Sequence, residues 1–218
     1  MLASLSRSRL RFVLPVAMGF VLLLSTLAGA ETGLPAAPVG YLGCSQTTGS
    51  VRGYHDAGGL RFWPVIEYGG GSVSRWANPH HSERYWADFD QARRAQIPGT
   101  VWWQICITGN GVEANYNAAR AVLSVLRRRV GSTPIYVSAQ NGYIDPHVCG
   151  IGPPNGPDTA AEIAARLVAS DGVLRGPTMS DLRGPDSAGD GPIQTEDGCH
   201  PNELGRARFG ANLQRFFG

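Results

Sequence analysis

VGYLGCSQT, residues 39–47, carries an apolar run into Gly43, Cys44 and Ser45. Residues 39–44 read as a strand, and Ser45 falls where that strand should give way to a turn. Working outward, strand-like runs recur at 62–67, 101–108, 134–139 and, more weakly, 173–178. Helical patterns separate most of them. Residues 82–96 place Tyr85, Trp86, Phe89 and Ala92 on one face, and 113–130 place Tyr116, Ala119, Val122, Leu123 and Leu126 at helical spacing. A third helix is expected over 158–169 with Asp158 as N-cap. A last one spans 202–217, with Asn202 as cap and Leu204, Leu213, Phe216 and Phe217 toward the sheet. Strands alternating with helices predict an α/β fold with a roughly five-stranded parallel sheet.

The chain has 218 residues. MLASLSRSRLRF carries three arginines and precedes an apolar run to Leu24 and the small-residue site STLAGA. Residues 1–30 therefore read as a signal peptide, with an uncleaved anchor as the alternative. Residues 31–38, ETGLPAAP, read as a linker, which leaves 39–218 as one catalytic-sized domain. Removing Arg7, Arg9 and Arg11 while keeping all 17 acids turns a formal charge of +2 into −1. That balance gives no case for nucleic acid. There is no lysine, a composition bias to which no mechanism is assigned, and Arg127, Arg128 and Arg129 fall in the last turn of a helix, where cations suit the dipole.

Four cysteines in an exported chain favour disulfides over metal ligation. Cys149 and Cys199 lie in Gly- and Pro-rich sequence and are the favoured pair. Cys44 and Cys106 look like strand residues and read as buried thiols. Two long segments, 142–157 and 182–198, break the alternation and are rich in Gly, Pro and Asp. Each follows a strand, and in an open parallel sheet the ligand crevice lies outside the carboxyl ends of the strands, so both are expected to wall the active site.

Near the C-terminus, DGCHPNELG, residues 197–205, sets Asp197 and His200 three residues apart ahead of the last helix. A serine hydroxyl is a weak nucleophile until a base takes its proton, and the base works best when a third group fixes its tautomer. Ser45, His200 and Asp197 fit these roles. The oxyanion formed during attack needs fixed donors, and two glycine-bearing turns follow strands: EYGGGSV from Glu67 and ITGNG from Ile107. Gly71 offers a backbone N–H, with Gly70 as the alternative, Asn110 offers a side-chain amide, and Ser45 its own N–H.

The order G-C-S, G-G-G-S, G-N-G and D-x-x-H-P-N resembles the SGNH, or GDSL-type, hydrolase family, named for Ser, Gly, Asn and His on four successive blocks. The resemblance implies a flavodoxin-like three-layer α/β/α sandwich over nearly the whole mature chain. It also implies Ser45 as nucleophile, Gly71 and Asn110 as oxyanion donors, His200 as base and Asp197 as its partner. Two positions depart from the usual pattern: Cys44 stands where the first block has aspartate, and Gly111 follows Asn110.

The expected function is a secreted or extracytoplasmic serine esterase hydrolysing short acyl or acetyl esters of small molecules or carbohydrates. No cofactor or metal, no stable membrane insertion after signal cleavage and a monomeric state are expected. A lipase or lysophospholipase, an acyltransferase with the same triad, and a catalytically silent binding module are the alternatives. His80 and His81 read as loop histidines, and Asp186 and Asp190 lack the spacing of a calcium loop. Trp76, Trp86, Trp102 and Trp103 are candidates to line an acyl or sugar pocket, with Trp102 or Trp103 in the core.

Overall fold

The structure is a computed structural model and describes residues 36–109 and 111–218. The signal segment 1–30 and most of the linker therefore lie outside the described residues. Four parallel strands, β1 (Val39–Leu42), β2 (Thr100–Ile105), β3 (Ile135–Ala139) and β4 (Leu174–Arg175), lie side by side in chain order. All of β1 and all but the first residue of β2 are buried, the pattern of parallel strands covered on both faces. Six helices among the described residues complete the α/β fold: α1 (Ser45–Asp56), α2 (Val73–Ala77), α3 (Pro79–Ala95), α4 (Val112–Val130), α5 (Gly156–Ser170) and α6 (Glu203–Phe217). None of the described helices is long and apolar enough to cross a membrane.

The expected strand over 62–67 is not formed. Phe62 makes one isolated bridge to Val39, and beyond Trp63 the backbone finds side-chain partners instead. Pro64 has no N–H to give a ladder. Its carbonyl accepts from the Tyr41 hydroxyl, whose oxygen takes the Ile66 N–H, while Thr48 donates to the Ile66 carbonyl. With polar groups met in this way the segment runs beside β1 without joining the sheet.

Helix details also differ from the sequence expectation. α5 starts two residues early, with Asn155 as N-cap and Asp158 inside the first turn. The buried face of α6 is Gly205, Phe209, Leu213 and Phe217 rather than Leu204 and Phe216, which are about half exposed. His80 and His81 are exposed and sit in the first turn of α3, not in a loop. All four tryptophans considered for a pocket are core: Trp102 and Trp103 are fully buried and Trp76 and Trp86 nearly so.

One packing contact controls the site. α1 and α6 meet backbone to backbone, because a Cβ on Gly53 would lie 1.9 Å from the Arg206 carbonyl oxygen and one on Gly210 would lie 2.2 Å from the Gly53 oxygen. Only glycine allows this approach. Ser45 is the first residue of α1 and His200 lies just ahead of α6, so the closeness of the two helices sets the closeness of the two side chains.

Candidate active site

Cys44 caps α1 in an extended conformation, and its own N–H is taken by the Thr47 hydroxyl at 2.9 Å. Ser45 thereby becomes the first helical residue, with a backbone N–H that has no partner inside the helix. The positive end of the helix dipole lies there too, a setting that favours negative charge at the serine.

The other half is built on a tight loop between the expected wall 182–198 and α6. Glu196 N–H donates to the His200 carbonyl, Asn202 N–H to the Gln194 carbonyl, and the Asn202 side chain caps α6 by accepting from the Gly205 N–H. Inside this loop Asp197 divides its carboxylate. Oδ1 accepts the N–H groups of Cys199 (2.9 Å) and His200 (2.7 Å), and Oδ2 lies 2.6 Å from the His200 ring Nδ1. An ionised carboxylate can only accept, so Nδ1 carries the proton and Nε2 is left as the acceptor. Ser45 Oγ lies 2.9 Å from that Nε2. The structure thus brings Ser45, His200 and Asp197 into one hydrogen-bonded line.

Burial alone would raise the Asp197 carboxyl, but hydrogen bonds from the His200 ring and from the His200 and Cys199 backbones outweigh it and hold it at about 2. A folded-state value below the ordinary 3.8 means the contribution to stability is present above pH 4 and is lost as pH falls from 4 toward 2. The Asp197 side chain is 46% exposed, so that contribution is modest. In thermal melts from pH 5 to pH 2, Asp197→Asn should show a shallower decline of Tm than wild type over the last two units. Asp197 also stays ionised throughout the neutral range, so an acid limb in kcat/KM near neutrality must come from another group.

The two glycines of the second block have different environments. Gly71 donates its N–H to the Tyr68 carbonyl at 2.9 Å and is buried against Gly43. That N–H is committed to the turn. Gly70 adopts φ +70°, a left-handed conformation that glycine takes without steric cost, and lines the cleft beside Ser45. Of the two, Gly70 lies on the cleft wall and the Gly71 N–H is already bonded within the turn. Asn110 lies outside the described residues. Its neighbours Gly109 and Gly111 have their carbonyls held by the Asn115 side-chain amide at 3.1 and 2.8 Å.

Two disulfides enclose the site. Cys149–Cys199 is the pair favoured from sequence, and Cys44–Cys106 replaces the two buried thiols expected there. Sequence reading missed the second bridge because it needs the β1–β2 pairing to bring the end of each strand together. Cys44 immediately precedes Ser45 and Cys199 immediately precedes His200, so each bridge ties down the backbone beside one of these two hydrogen-bonded side chains.

The cleft between them has a volume of about 210 Å³. Its walls include Gly70, Ile107, Ile151 and all four half-cystines, with Ser45 and His200 at one side. From the segment 142–157, Cys149, Ile151 and Gly152 reach this cleft, whereas no residue of 182–198 does; that loop supports the base from behind. A larger cleft of about 340 Å³ lies beyond Gln140, flanked by Asp158 and Asp181, but it holds no nucleophile and base in contact. Among the described residues no group of three or more His, Cys, Asp or Glu is placed to hold a metal ion.

No protein-family model matches the chain, and no curated protein matches it. Solved structures do. The periplasmic domain of a lipopolysaccharide acetyltransferase from Salmonella ser. Paratyphi A aligns at 10% identity and TM-score 0.55, over 82% of this chain and 83% of that one. A protein assigned as an SGNH hydrolase from Slackia heliotrinireducens aligns at 19% identity and TM-score 0.53, over 84% and 100%. A protein assigned as an acylhydrolase from Bacteroides fragilis NCTC 9343 aligns at 15% identity and TM-score 0.50, over 84% and 86%. What is shared at such identities is the fold, and the fold is of the SGNH-hydrolase type.

Proposed function

We propose that this chain is an extracytoplasmic serine esterase that forms an acyl-enzyme on Ser45. The observation that carries the reading is the continuous line from Ser45 Oγ to His200 Nε2 (2.9 Å) and from His200 Nδ1 to Asp197 Oδ2 (2.6 Å). In the proposed cycle Ser45 Oγ attacks the acyl carbon while His200 takes its proton, and Asp197 stabilises the resulting imidazolium. The oxyanion is met by the N–H groups of Ser45 and Gly70, with Asn110 as a further proposed donor. His200 returns the proton to the departing alcohol. It then deprotonates the water that attacks the acyl-enzyme, releasing the acid and restoring the Ser45 hydroxyl.

The cleft supports a short acyl group, because 210 Å³ is less than the roughly 300 Å³ at which pockets for drug-sized ligands begin. Two disulfides support an oxidising compartment, in keeping with removal of residues 1–30 and a catalytic domain over 39–218. The folds shared with hydrolases and with an acetyltransferase support acyl chemistry in general.

A panel of esters from acetyl to palmitoyl, run beside acetylated polysaccharides, tests the reading. Catalytic efficiency should peak at short chains and fall once the chain outgrows the cleft. A peak at long chains identifies a lipase instead, acyl product found on a sugar hydroxyl in place of free acid identifies a transferase, and failure of a fluorophosphonate to label Ser45 in the folded protein overturns serine catalysis altogether.

A further inference from the structure

A second hydrogen-bonded line runs beside the first, and sequence reading assigned neither of its side chains, Gln46 and Tyr143, a role. Gln46, the residue after Ser45, donates from Nε2 to the Tyr143 oxygen at 2.7 Å, and the Tyr143 hydroxyl donates to the carbonyl of Cys199, the residue before His200, at 2.8 Å. The directions follow from chemistry, since the amide NH₂ can only donate and the phenol has one hydrogen to pass on. Burial pushes the Tyr143 phenol up to about 12 against hydrogen bonds from Asn141 and Gln46, so it keeps that hydrogen at any working pH.

We propose that Tyr143 is a positioning residue that fixes the distance between Ser45 and His200 by joining their covalent neighbours through Gln46 and Cys199. This rests on the esterase reading for its consequence, but the geometry stands by itself. Gln46 is 8% exposed, and its Oε1 has no partner among the described residues, so the seat of this amide depends on Tyr143. The same segment grips the base loop twice more. His147, also buried and packed edge-on against Tyr143, donates from Nε2 to the Gly198 carbonyl at 2.5 Å, and Cys149 is bonded to Cys199. Three attachments from residues 143, 147 and 149 thus converge on residues 198 and 199, two places and one place ahead of the base.

A shift of about 1 Å in a reacting group can cost about a hundredfold in rate. Tyr143→Phe keeps the ring and deletes both hydrogen bonds. Losing the hydroxyl's contacts to Gln46 and Cys199 should lower kcat by about ten- to a hundredfold with KM changed less than about threefold, and slow fluorophosphonate labelling of Ser45 in parallel. Gln46→Met should do the same, and the double variant should be no slower than either single one, because cutting one chain twice releases the same loop. Tyr116→Phe, which deletes a hydrogen bond to Asp171 between two residues that do not line the cleft, serves as the control for lost stability.

Expected in Tyr143→Phe is also a weakened or broadened downfield NMR signal of the His200 Nδ1 proton, which reads the base loop without turnover. An inactive wild type would therefore count against the esterase reading alone. The positioning role is overturned if Tyr143→Phe keeps kcat and labelling rate within twofold and leaves that signal unchanged, if Gln46→Met is silent, or if Tyr116→Phe lowers kcat equally.

Discussion

Ser45→Ala and His200→Ala are each expected to lower kcat on a short activated ester by about 10⁴-fold or more, and the double variant by no more than the worse of the two. Without the imidazole nitrogen 2.9 Å away, the serine keeps its proton at neutral pH and offers almost no nucleophile. Without the hydroxyl, the base has nothing to activate in the first step. Groups that act as one unit are not additive, so either deletion removes nearly the whole covalent path and leaves the oxyanion donors with slow direct attack by water. The fold should tolerate both changes, since neither side chain is fully buried, and Tm should move by only about 2 °C. Ester hydrolysis and circular dichroism melts on the same preparations check both halves. A Ser45→Ala variant that keeps near wild-type kcat would remove Ser45 from the chemistry.

Replacing Cys149 and Cys199 by serine is expected to lower stability by about 4 kcal/mol, the chain-entropy value for a bridge closing a loop of this length, the partners being 50 positions apart. For a domain of this size that corresponds to a fall in Tm of about 8–16 °C. Activity should fall as well at temperatures where the variant is still folded, because the bridge adjoins His200 and anchors the carbonyl that Tyr143 holds. Scanning calorimetry of wild type with and without reductant, beside the double-serine variant, measures the first effect, and kcat at 10 °C the second. Equal Tm values would show the bridge to be absent or unimportant in the purified protein. Removing Cys44 and Cys106 should have a similar thermal effect, since that bridge closes a comparable loop of 62 positions.

The parts of the site legible in sequence are those whose geometry is local. Asp197 and His200 are three residues apart, and a short loop ending in a capped helix can bring a carboxylate to an imidazole with no help from the remainder of the chain. The α/β class was legible for a related reason, because apolar runs and helical spacing report on elements one at a time. The strand expected over 62–67 marks where this stops. Its residue types suit a strand, but Pro64 and the hydroxyls of Tyr41 and Thr48 redirect its hydrogen bonds, and two of those three belong to other elements.

The two glycines of the second block illustrate the same limit at atomic scale. Gly70 and Gly71 are indistinguishable in a G-G-G-S run, and only the turn bond from the Gly71 N–H to Tyr68 and the place of Gly70 on the cleft wall separate them. The chain by itself determined the alternation of strands and helices and the Asp197–His200 pair, and it favoured the Cys149–Cys199 bridge without fixing it. Tertiary structure decided the rest: that Ser45 meets a histidine 155 positions away, that Cys44 and Cys106 join, and that Tyr143 ties the two halves together. The physical reason is range. Propensity, capping and hydrophobic period act within a few residues, whereas the approach of α1 to α6 depends on a Gly53–Gly210 contact that no local pattern encodes.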